Sequence, residues 1–157
     1  MSLLVVPKIE RSLDFWSVPQ QLLVIRNSAG PVDTPLPDVV VAGLPDNAHI
    51  TRVEAIFKFH AIEDISGLGN LLAGAQSIQV RVSAPPGAWA NAVNFADTEF
   101  TLAALAREGG DATLGDVDLS ATVSGNGTYN FQWAGALAGQ DNLQFNDLQV
   151  GLRVWFK

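Results

Sequence analysis

Residues 148–157 read LQVGLRVWFK. Leu148, Val150, Leu152, Val154 and Phe156 alternate with Gln149, Gly151, Arg153 and Trp155. Successive side chains of a strand point to opposite faces, so this period of two predicts a strand with one apolar and one mostly polar side. Burial on one side only is the habit of antiparallel sheets, not of parallel sheets covered by helices on both faces.

The same period recurs upstream. In RVEAIFKFHAIED, from Arg52, the residues Val53, Ala55, Phe57, Phe59 and Ala61 alternate with Arg52, Glu54, Lys58 and His60, and Ile56 interrupts the polar side. Ile78, Val80 and Val82 alternate with Gln79 and Arg81, and Val117, Leu119, Ala121 and Val123 with Asp116, Asp118, Ser120 and Thr122. Weaker strand patterns lie over 22–26, 38–42 and 100–104. The run 89–95 after Pro85-Pro86-Gly87 reads as a short helical turn, 134–142 as an Ala/Gly connection, and the Pro-rich 30–37 as a loop. Strands punctuated by Gly, Pro, Asn and Asp, with no long amphipathic helix, predict an all-β fold. The expected form is an antiparallel β-sandwich, jelly-roll-like, of about 7–8 strands. Residues 1–20 form an N-terminal arm or edge segment, and 21–157 a single sandwich domain.

The totals agree with one domain: 157 residues, 48% of them hydrophobic, are ample for a core without covalent staples. The chain has no cysteine, which removes disulfides, thiolate metal sites and cysteine nucleophiles. A net charge of -7, with the basic residues scattered singly, speaks against nucleic acid as a partner. The first residues lack the basic start and long apolar stretch of a signal peptide, and no window approaches the length of a membrane helix. The expected location is therefore the cytoplasm or a virion, with no membrane partner.

The best candidate site is VSGNGTYNFQW, residues 123–133. Gly125-Asn126-Gly127 suits a tight reversal. Tyr129, Phe131 and Trp133 then share one strand face. Such rings fill the space between two sheets; the alternative is a platform for sugar rings, built from Trp89, Tyr129 or Trp133. Trp155 stands on the polar side of its strand and requires cover from the chain itself or from another subunit. Asp111, Asp116 and Asp118 offer carboxylates of the kind calcium takes, though not at the spacing of a helix-loop-helix calcium site. His49 and His60 are roughly 36 Å apart along one extended strand, too far to share a metal. Gly67-Leu68-Gly69 lacks the lysine of a phosphate loop, no Gly-x-Ser-x-Gly elbow occurs, and Asn126-Gly127-Thr128 matches the glycosylation sequon by chance. No cofactor, metal or catalytic set is expected.

The arm-like start MSLLVVPKIERSLDFW, the lack of cysteine and of a leader, and the closing LQVGLRVWFK together give a chain that resembles the small β-sandwich virion structural proteins of bacteriophages. That group includes capsid, decoration, head-fibre and tail-associated subunits. The resemblance implies a non-enzymatic, self-assembling subunit, often a trimer or larger ring, that meets copies of itself and other structural proteins. On this reading Leu3, Leu4, Phe15, Trp16 and Trp155 form the oligomer interface. The alternative is a carbohydrate-binding β-sandwich module.

Overall fold

The computed structural model describes residues 9–26, 33–58, 61–64, 76–95, 112–113, 117–134 and 142–157. Among them are ten strands: β1 (Arg11–Trp16), β2 (Gln20–Arg26), β3 (Thr34–Val41), β4 (Ile50–Lys58), β5 (Ala61–Asp64), β6 (Gln76–Val82), β7 (Ala90–Phe95), β8 (Ala112–Thr113), β9 (Gly127–Ala134) and β10 (Asn142–Phe156). They form two antiparallel sheets. Among the described residues no helix is long and apolar enough to cross a membrane.

The alternating stretch that closes the chain is the spine of the first sheet. β10 runs for 15 residues, roughly 50 Å at the rise of an extended strand. One of its edges pairs first with β2 and then with β1; its other edge pairs with β5 and then with β4. β4 in turn pairs with β8. Each flank of β10 is thus a single line of chain with one interruption. Asp147, in the middle of β10, has a φ of 51°, a left-handed conformation that Asp tolerates better than most residues. The second sheet runs β3-β9-β6-β7.

Counting β1 with β2 and β4 with β5 gives eight strand lines, and their pairing obeys a simple rule. The first line pairs with the eighth, the second with the seventh, the third with the sixth, and the fourth with the fifth. A long antiparallel ribbon rolled up on itself gives this order, which is the jelly roll.

The inner faces meet as the alternation requires. Val53, Ala55 and Phe57 of β4, with Leu148, Val150, Leu152 and Val154 of β10, are buried against Val39 and Val41 of β3, Ile78 and Val80 of β6, and the three rings of β9. Trp133 is fully enclosed at 0% exposure.

Three local expectations need correction. The run 117–123 is not a strand. The Asp118 carboxylate accepts from the Ser120 amide and hydroxyl at 3.0 Å each, and the amides of Thr122 and Val123 turn back onto the Leu119 carbonyl. A side chain that satisfies nearby backbone in this way competes with the sheet ladder. Residues 90–95 are strand β7 rather than a helical turn, because β6 offers a partner edge. The Pro-rich loop ends sooner than expected: β3 begins at Thr34 and holds both Pro35 and Pro37, which an edge strand admits. The expected strand over 100–104, the Gly67–Gly69 loop, and most of the 134–142 connection lie outside the described residues.

Candidate assembly interface

The rings of the opening candidate belong to the core. Tyr129, Phe131 and Trp133 are 4%, 2% and 0% exposed, so Tyr129 and Trp133 present no face to a sugar and the expected ligand-binding role is corrected for both. The cause is register: Tyr129, Phe131 and Trp133 lie opposite Val82, Val80 and Ile78 of β6, on the inward side of the sheet. The Tyr129 hydroxyl donates to the Gly125 carbonyl at 2.7 Å and pins the glycine-rich turn over its own ring. Burial raises its pKa, and the hydrogen bonds to Gly125 and Ser124 offset only part of that. Asn126 fixes the same turn to the body, accepting from the Leu44 amide and donating to the Leu44 carbonyl.

Trp89 is half-buried on the outer side of the second sheet, with the Arg81 guanidinium 4.4 Å from its ring centre. Beside it runs a ladder of planar side chains. Gln132 donates to Gln79 and Gln79 to Asn91; Arg81 donates to Asn130, which donates to Asp38 and Ser83. At the end of the sandwich, Val82 to Ala84 and Ser124 to Tyr129 line an open cleft of about 420 Å³. Its lining carries no acid, base or cation.

The outer face of the first sheet is built in rungs. Ser12, Trp155 and Arg52 form one; Asp14, Arg153 and Glu54 the next; Trp16, Gly151 and Ile56 the third. The middle rung is charged and its charges are paired: Arg153 holds both oxygens of Asp14 at 2.8 and 2.9 Å, and Arg52 of the first rung reaches Glu54 at 2.6 Å. Trp155 and Trp16 flank that rung, both half-buried. Trp16 lies across Gly151, where a Cβ would stand 2.8 Å from the ring and 2.7 Å from the Phe15 carbonyl. Lys58 holds its ammonium 4.3 Å from the Trp16 ring centre. Ile56, which broke the polar side of its strand in sequence, is buried in this third rung. Phe15 points inward and packs against the core.

Of the residues expected at an interface, then, Trp16 and Trp155 share one outer face and Phe15 takes the opposite side of β1. Leu3 and Leu4 lie outside the described residues, as do Asp111, Asp116 and His60. Asp118 serves a structural end. Its Oδ1 also accepts from the Val53 amide at 3.1 Å, while Leu119 donates to the Val53 carbonyl. Its carboxyl feels burial, which raises the pKa, but the Ser120 and Val53 hydrogen bonds and the charge of Arg52 outweigh that and hold it below its ordinary value. Among the described residues no three His, Asp or Glu side chains gather as a metal site would require.

What the alternation did not reveal is the apolar exposure in β1 and just beyond its ends. Ile9, Leu13 and Val18 are 74%, 44% and 74% exposed. Leu13 lies opposite Val154 of the core, so its parity marks it as interior; it is bare because β1 is the last strand of its sheet. Just past β1 the chain bulges. Trp16 lies opposite Gly151 and Gln20 opposite Leu148, four residues spanning three. Ser17, buried, holds the bulge: its amide donates to the Val150 carbonyl and its hydroxyl accepts from the Val150 amide at 3.2 Å. The Gln149 side chain takes up the Ser17 carbonyl that the bulge frees.

No protein-family model, no curated protein and no solved structure matches this chain.

Proposed function

We propose that this protein is a non-enzymatic, self-assembling structural subunit of the kind found in bacteriophage virions: a capsid, decoration or tail-associated component. The observation that carries the reading is the first sheet's edge at β1, beside which no described strand lies and where Leu13 within the strand, and Ile9 and Val18 beyond its two ends, stand exposed. Large exposed apolar side chains gathered along one edge favour contact with another protein. The rolled two-sheet body gives such an edge a stiff support, and jelly rolls serve as building blocks of viral shells. Light scattering coupled to size separation tests the reading over a wide concentration range. The expected outcome is a discrete oligomer; a strict monomer at the highest soluble concentration overturns it.

A second reading, a carbohydrate-binding module, draws on one observation: Trp89 remains half-exposed beside a row of amide side chains on an outer sheet face. Against it, those amides spend their donors on one another. Titration with a panel of glycans, followed by tryptophan fluorescence, decides the point. A saturable change that Trp89→Ala abolishes supports sugar binding, and silence across the panel removes it.

A further inference from the structure

Resting on the assembly reading, the geometry points to a specific contact: β1 pairs antiparallel with β1 of a second copy across a two-fold axis through Leu13, joining two first sheets into one continuous sheet. The phase of the hydrogen bonds defines which groups are on offer. The Ser17 amide donates to the Val150 carbonyl, and Val53, opposite Val154, turns its carbonyl away from β10 to accept from Leu119; residues that face the partner alternate along an antiparallel pair. Phe15, Leu13 and Arg11 therefore turn their backbone groups toward β10, and Ser12, Asp14 and Trp16 turn theirs outward. A two-fold axis normal to the sheet keeps side chains of one face together, so only registers centred on a single residue are open.

Side-chain chemistry selects among them. Centring on Arg11 sets that residue against its own copy. Centring on Ser12 brings Glu10 to Asp14, and centring on Asp14 brings two carboxylates together; like charges directly opposite destabilise a sheet. Centring on Phe15 leaves only three residues a side before the bulge at Ser17. Centring on Leu13 avoids every one of these faults. Leu13 covers Leu13 of the second copy, the Ser12 hydroxyl faces the Asp14 carboxylate, and Glu10 falls opposite Trp16, whose ring carries the Lys58 ammonium. The carboxylate of each copy thus meets a cation of the other. The outward amides of Ser12 and Asp14 find carbonyl partners, which is the usual fate of an unprotected edge.

The test uses the whole chain, which has no cysteine of its own. In the Leu13-centred register the two Leu13 Cα atoms are about 4.5 Å apart, as in any pair that does not exchange hydrogen bonds, within the span of a disulfide. Leu13→Cys is therefore expected to form a covalent dimer under mild oxidation, while Ser12→Cys and the more exposed Val40→Cys do not. Ser12→Pro removes one outward donor from each copy and none that β10 uses; it is expected to weaken association by about thirtyfold with an unchanged unfolding midpoint. An oligomer by light scattering whose Leu13→Cys variant cross-links no better than Val40→Cys overturns this pairing and leaves the assembly reading standing. A chain that stays monomeric at every concentration overturns both.

Discussion

β1 and β3 are the outermost strands of their respective sheets and touch one another along one flank of the sandwich. Among the described residues both leave a row of backbone groups without a strand beside them, and they treat that row in opposite ways. β3 contains Pro35 and Pro37, neither of which has an N–H to offer, and its register with β9 slips between Leu36 and Val39. Proline and a break in register are the means by which edges avoid unwanted pairing. β1 has neither: its six residues hold one unbroken register with β10, contain no proline and no lysine, and carry exposed Leu13 at their centre. The two edges share solvent and neighbourhood. A blocked edge beside an open one is why the proposed contact is assigned to the open one.

The contrast can be broken most forcefully at Gly151, the residue on which β1 rests. Gly151→Ala drives a methyl group into the Phe15 carbonyl and the Trp16 ring. A backbone oxygen cannot step aside, so the substitution costs about 3 kcal/mol, read as a lowered denaturant midpoint. Gly87→Ala, whose added Cβ meets nothing closer than 3.7 Å, serves as the neutral control. Next comes Ser17→Ala, which strips the Val150 amide of its acceptor inside the bulge. A buried donor left without a partner costs about 2 kcal/mol, measurable in the same experiment, with amide hydrogen exchange at Val150 accelerating ahead of its neighbours.

Smaller still in stability, but sharper for the comparison, is the double change Pro35→Thr with Pro37→Thr. It gives β3 the donors it lacks and is expected to move the unfolding free energy by less than about 1 kcal/mol. Its effect is expected in solution size, where new species heavier than those of the parent protein appear. If they do not, proline is not what closes this edge.

The smallest effect concerns a third edge, that of β4, where Asp118 lends a carboxylate oxygen in place of a strand carbonyl. Its pKa is lower folded than unfolded. The stability it contributes is therefore full above its unfolded pKa and drains away as the pH falls through the folded value. A profile of unfolding midpoint against pH should drop in the acid range, and Asp118→Asn should flatten that drop. An unaltered acid limb would show that the carboxylate's charge is idle there.

Much of this architecture was legible in the residues themselves. The strict alternation from Leu148 to Phe156, and around Val53, Ile78 and Tyr129, marks strands whose inner faces form the core, and the sandwich follows. The misreadings share a physical cause: contacts that alternation along the chain does not encode. Asp118 diverts its segment into a turn because Ser120 and Val53 are within reach of its oxygens. Ala90 to Phe95 extend because β6 lies alongside. The site was half visible. Trp16 and Trp155 stood out as rings on polar faces, but Leu13 had the parity of a core residue. Only strand order, which pairs the first line with the last, makes β1 an edge and leaves Leu13 bare. Tyr129 and Trp133 were the opposite case, conspicuous by composition and buried by register.

The position of β10 also governs the order in which the molecule can take shape. Among the described residues the lines that flank it, β1 with β2 and β4 with β5, share no strand pairing with each other and are joined into one sheet through it. As the polypeptide leaves the ribosome, the β1–β2 line has no strand of its sheet to pair with, and β4 only the two-residue β8, until residues 142–156 emerge, whereas β6 and β7 can close at once. Pairings so remote along the chain are slow to form and vulnerable meanwhile. Nascent chains stalled before Asn142 should therefore retain a protease-sensitive front half, and a chaperone that shelters it would find its work concentrated there.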